Sequence, residues 1–109
     1  MAIELKLGSF STHDVLTYSV KAIRHKEIYP YLRYGLVIVG NGQITNKFFL
    51  HKVGFDFALV IPNTVAGRRQ LLSVVKRQLV ISSRLISIAT EKKNRIRRYG
   101  NIVRISTRT

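Results

Sequence analysis

Only five carboxylates, Glu4, Asp14, Glu27, Asp56 and Glu91, stand against 19 lysines and arginines in this chain. The formal net charge is +14 over 109 residues. Self-repulsion of that size opposes any compact state unless a polyanion or salt neutralises it. Nucleic acid is the commonest polyanion, and an anionic membrane surface is the second. Yet 46% of the residues are apolar, too many for a disordered basic tail. The sequence therefore describes a core-forming domain that carries a large excess of cations. At this length a single domain is expected.

Several chemistries are disfavoured by what the chain lacks. It has no cysteine, so disulfides, thiolate metal sites and cysteine nucleophiles are excluded. No apolar run reaches the roughly 18 residues of a membrane span, so none is expected. The start, Met1-Ala-Ile-Glu-Leu-Lys, reads neither as a signal peptide nor as an Arg/Ser-rich presequence. His13, His25 and His51 fall on a helix start, a helix end and a strand, which is not a metal-ligand pattern. The acids are scattered rather than paired for acid–base work. Gly40-Asn41-Gly42 lacks the spacing of a phosphate loop. No catalytic residue, metal, cofactor or small-molecule substrate is expected. Only a cleft bringing His13, His51 and Asp56 together would revive an enzyme.

Periodicity gives an element order. Ile3, Leu5 and Leu7 alternate with Glu4 and Lys6, as in a half-buried strand. Ser11 or Thr12 caps a helix with Asp14 in its first turn. Leu16, Val20 and Ile23 supply its apolar stripe, and it ends before Pro30. Leu36–Val39 is a second strand, and Gly40-Asn41-Gly42 a turn. A long hairpin strand is expected over 46–61, with Phe49, Val53, Phe55, Phe57, Leu59 and Ile61 on its core face. Phe48 lies off that face. Pro62-Asn63-Thr64 closes it and caps a second helix, with Val65, Leu72, Val75 and Leu79 as its apolar stripe. Residues 79–89 read as β-rich. Thr90-Glu91-Lys92-Lys93 caps a short basic helix, Gly100-Asn101 breaks it, and 102–107 reads as a last strand. The expected class is α+β: a ferredoxin-like split β-α-β order with one antiparallel sheet and two helices on one face. The RNA-binding domain spans 1–90, and 91–109 is a basic C-terminal extension packed on it.

Three basic groups stand out. The second helix carries Arg68, Arg69, Lys76 and Arg77. The extension carries Lys92, Lys93, Arg95, Arg97 and Arg98 beside Tyr99, and then Arg104 and Arg108. Solvated helix faces normally mix signs through Glu–Lys pairs. Here one sign prevails, and arginines outnumber lysines, 11 to 8. Guanidinium binds phosphate in a two-pronged geometry that ammonium lacks. Lys47 and Lys52, near the hairpin, would reach further phosphates.

Arg68-Arg69-Gln70-Leu71, Arg84-Leu85-Ile86-Ser87-Ile88 and the run Arg95-Ile-Arg-Arg-Tyr-Gly-Asn-Ile-Val-Arg-Ile-Ser resemble segments of the small-subunit ribosomal protein S-ten family, in a divergent organellar form. Lys76-Arg77-Gln78-Leu79-Val80-Ile81 is the alternative match to the family's later strand. The resemblance implies a structural protein in the head of the small ribosomal subunit, with rRNA and neighbouring small-subunit ribosomal proteins as partners. A mitochondrial ribosome is the implied location; a cytoplasmic ribosome or a virion is the alternative. The rival reading is a viral matrix-like or accessory protein that binds RNA and membranes. Liposome flotation with anionic lipid separates the two.

Overall fold

The structure, a computed structural model, describes residues 1–8, 11–40, 42–91 and 95–106. Strands and helices alternate: β1 (Ala2–Leu7), α1 (Thr12–Ile28), β2 (Tyr34–Val39), α2 (Asn46–His51), β3 (Phe57–Ile61) and α3 (Val65–Thr90). The strands form a three-stranded sheet in the order β1-β2-β3, parallel throughout. Ala2 pairs with Tyr34 and Leu7 with Val39, while Gly35 pairs with Phe57 and Val39 with Ile61. The class is α+β, as expected, and compatible with a split β-α-β arrangement, but the sheet expected to be antiparallel is parallel.

Helix α1 starts where its cap dictates. Ser11 Oγ accepts from the Asp14 amide at 3.1 Å, and Asp14 Oδ2 accepts from the Ser11 amide at 3.1 Å. This reciprocal capping box satisfies two amides that no helical carbonyl reaches. The helix stops at Tyr29, whose N–H bonds to the His25 carbonyl just ahead of Pro30.

Three expectations are corrected. The turn at Gly40 does not close a hairpin, because β3 runs parallel to β2. Parallel neighbours need a crossover, and α2 supplies part of it. Phe48 on α2 is buried against Phe55, with ring centroids 5.6 Å apart, while Phe49 is exposed. Thus the off-face aromatic is core and its neighbour is not. Second, residues 79–89 are not β but the C-terminal half of α3, which starts at Thr64, whose Oγ1 accepts from the Gly67 amide at 3.1 Å. The β-branched residues there carry only a weak preference, which tertiary context overrides. Gln78 accepts from Arg33 Nε at 2.7 Å, and Ser82 donates to the Tyr31 carbonyl at 3.0 Å. Those bonds hold the helix to the β2 approach. Third, residues 102–106 form no strand; 95–106 are exposed and lack regular secondary structure.

The core lies on the sheet face carrying Tyr34, Leu36 and Ile38, under Val15 and Ala22 of α1 and Phe48 and Phe55. Each buried aliphatic side chain there contributes about 1.5–3 kcal/mol. Alternation puts Val37 on the opposite face, and Ile61 shares that face through the register. Both are buried, and α3 packs on β3. Gly54 lets the α2–β3 connection press onto α1: a Cβ there would strike the Ser19 carbonyl and the Ala22 methyl. The Gly54 amide donates to buried Ser19 Oγ at 2.8 Å. Gly35 is likewise roofed by the Phe57 ring, leaving no room for a side chain.

The helices face inward one residue away from the expected stripes. On α1 the buried residues are Val15, Ser19 and Ala22, and Leu16, Val20 and Ile23 are exposed. On α3 the inward set is Leu71, Val74, Val75, Gln78, Ser82 and Leu85, while Val65, Leu72 and Leu79 face outward. Of the expected α3 stripe only Val75 turns in. Small residues at 19 and 22 allow the backbone to approach the sheet closely, which sets the helix rotation.

Candidate nucleic-acid interface

Carboxylates and cations meet mainly in the body of the domain. Glu4 takes Lys21 at 2.9 Å and Asp14 takes Lys6 at 3.7 Å. Asp56 takes Lys26 at 2.6 Å and Arg33 at 3.3 Å, and its Oδ2 also accepts from the Tyr34 amide at 2.8 Å. Asp56 thereby joins the end of α1, the start of β2 and the start of β3. Tyr34 Oη donates to Glu4 Oε1 at 2.5 Å, tying β2 to β1. Burial pushes the Glu4 carboxyl up, but the bonds from Tyr34 and Lys21 outweigh it and hold its pKa below the ordinary value. The Ser11 backbone and hydroxyl do the same for Asp14. Burial, reinforced by Glu4, pushes the Tyr34 phenol well above its usual value.

Charge elsewhere is one-sided. From Val65 to the end, 12 lysines and arginines face the single acid Glu91, a net +11 of the chain's +14. Helix α3 itself contains no acid. Among the described residues no salt bridge involves a cation of α3 or of 95–106. The 26 residues of α3 extend about 39 Å at 1.5 Å per residue, so these cations are spread along a rod.

The structure brings Arg68, Arg69, Lys76 and Arg77 together on α3, all exposed. Arg68 Nη2 donates to Asn63 Oδ1 at 3.5 Å. Arg69 and Lys76 stand seven residues apart, as do Arg77 and Arg84. Seven residues are two turns, so each pair shares a face, about 10 Å apart. Arg84 was hidden in the sequence because the segment around it reads as β. Its spacing from Arg77 was the available signal. Arg95, Arg97, Arg98 and Arg104 lie in the exposed segment 95–106, with Tyr99 81% exposed among them. Lys92 and Lys93 lie outside the described residues. Lys47 is exposed on α2 and Lys52 just after it. These two belong to the α2 crossover rather than to a hairpin tip.

A row of cations along a helix, continued by an arginine-rich segment with an exposed tyrosine, matches what single-stranded or looped RNA requires. Guanidinium and ammonium meet phosphates, and an aromatic ring offers a stacking face. Phe48 and Phe55 are in the core and offer no stacking face. Among the described residues no three His, Asp or Glu side chains converge to hold a metal ion. Asp56 is saturated by Lys26, Arg33 and the Tyr34 amide. No helix of the described residues is long and apolar enough to cross a membrane. Comparisons with protein-family models, with curated proteins and with solved structures found no match to this chain.

Proposed function

We propose that this chain is a non-catalytic RNA-binding protein whose α3 and C-terminal segment neutralise an RNA backbone. The carrying observation is the segregation of charge. The paired carboxylates serve the folded body, and among the described residues the cations of α3 and 95–106 form no salt bridge. Arg68, Arg69, Lys76 and Arg77 are the phosphate-contacting set on the helix. Arg95, Arg97, Arg98 and Arg104 extend it, with Tyr99 as a stacking residue.

The setting implied by the S-ten resemblance is the small ribosomal subunit, in a mitochondrial ribosome. A second feature supports assembly into a larger particle. Leu5, Leu7, Leu16, Val20, Leu72, Leu79 and Val80 are all exposed, an apolar surface spread over β1, α1 and α3. In a ribonucleoprotein, protein neighbours would cover it. The test is sedimentation of the tagged chain from cell extract. Comigration with small-subunit particles, reversed by high salt, is expected. Migration with the free-protein fractions at low salt would overturn the ribosomal setting.

A further inference from the structure

The outward face of the C-terminal half of α3 is of a different character from the cationic N-terminal half. A shallow open depression there is lined by Leu79, Val80, Ser83, Arg84 and Ser87. Four of these, Val80, Ser83, Arg84 and Ser87, stand at i, i+3, i+4 and i+7. That is the arrangement of four side chains that receives one knob from a facing helix. Ser83 and Ser87 are small, which makes the hollow. Val80 is 69% exposed and Leu79 48% exposed, so its rim is apolar and wet. Leu72 continues the apolar line one heptad before Leu79.

The charges around this hollow choose the occupant. Lys76 and Arg77 stand one turn before Val80, Arg84 lines the hollow itself, and α3 supplies no acid. A second copy would set these cations against their own counterparts, and like charges at a helix interface are repulsive. RNA phosphates would meet the cations but would leave the apolar rim of Leu79 and Val80 uncovered. A helix with leucines on one face and glutamates beside them satisfies both features: a leucine enters the hollow, and a carboxylate meets Arg84, which lines it.

We propose that the Leu79–Ser87 face of α3 docks an acidic amphipathic helix of a partner protein. This does not rest on the RNA reading. It assigns the two halves of α3 to different partners.

The test uses the full chain and three synthetic helical peptides. One carries leucines at its core positions and glutamates at the flanks, the second replaces those glutamates by lysines, and the third keeps the glutamates but replaces the leucines by serines. Fluorescence anisotropy is expected to show saturable binding of the first, at least tenfold weaker binding of the third, and none of the second. Ser83→Leu fills the hollow of an exposed site and is expected to weaken the first peptide at least tenfold. Ser83→Ala should leave it unchanged. Both variants should keep the wild-type circular dichroism and RNA affinity. Equal binding of the first and third peptides would mean charge attraction alone and overturn the proposal. So would unaltered peptide binding by Ser83→Leu. Self-association of the chain abolished by Ser83→Leu, or binding to phosphatidylserine vesicles abolished by it, would assign the face to a second copy or to a membrane and equally overturn it.

Discussion

Tyr34 and Glu4 are joined across the β1–β2 pair by a 2.5 Å hydrogen bond. Lys21 of α1 completes the unit at 2.9 Å from the same carboxylate oxygen. One acid thus fastens two strands and a helix, which is the use this chain makes of a scarce residue type. Tyr34→Phe removes a bond to a charged, part-buried carboxylate. A loss of about 1.5–3 kcal/mol is expected, read as a shift in the urea midpoint at pH 7.

The same unit sets how stability responds to acid. The pKa values of Glu4 and Asp14 are held below their ordinary values in the folded chain. The unfolded chain therefore binds their protons first as the pH drops. Their contribution is fully present above the ordinary carboxylate range and is lost as pH falls through the depressed folded values. Thermal melts from pH 7 to pH 2.5 should show this decline, and Glu4→Gln should make it shallower. A Glu4→Gln profile parallel to wild type would show that the carboxylate makes no difference.

Gly54→Ala should destabilise the fold by about 1–3 kcal/mol. The added methyl meets the Ser19 carbonyl and the Ala22 methyl, and both sit on a helix backbone that is pinned to the sheet. A folded variant with unchanged melting temperature would mean that the α2–β3 connection does not lie against α1.

The sequence revealed helices and strands wherever caps and turns are local chemistry. The Ser11–Asp14 box, the stop before Pro30 and the Thr64 cap were all legible because each involves residues within a few positions. What was not legible depended on distant partners. The pairing direction of β3 is decided by where α2 can fold back, and Phe48 turns inward onto a core that includes Val15, Leu36, Ile38 and Phe55. The helical state of 79–89 depends on Arg33 and Tyr31, some 45 and 51 residues away. The rotation of α1 followed its small residues rather than its large ones, so the candidate core stripe of Leu16, Val20 and Ile23 lies outside. The cations were legible as a group because charge needs no fold to be counted. Their arrangement on one rod, and the membership of Arg84, needed the helix.

Replacement of Arg95, Arg97 and Arg98 together by alanine should weaken RNA binding without altering the melting temperature, because all three are exposed and outside regular structure. Tyr99→Ala should cost a further 1–3 kcal/mol of binding, roughly the value of one base–aromatic stack. Unfolding of the triple variant would make these arginines structural. Unchanged binding by Tyr99→Ala would remove the stacking role.

The central claim is that the cations of α3 meet phosphates, and the salt dependence of RNA affinity measures this most directly. Log affinity for a single-stranded rRNA fragment, plotted against log salt, should fall with a slope of about −0.7 for each phosphate engaged. Lys76→Ala with Arg77→Ala should make the slope shallower by about 1.4, with circular dichroism unchanged. A wild-type slope near zero, or a double variant with the wild-type slope, would contradict the account.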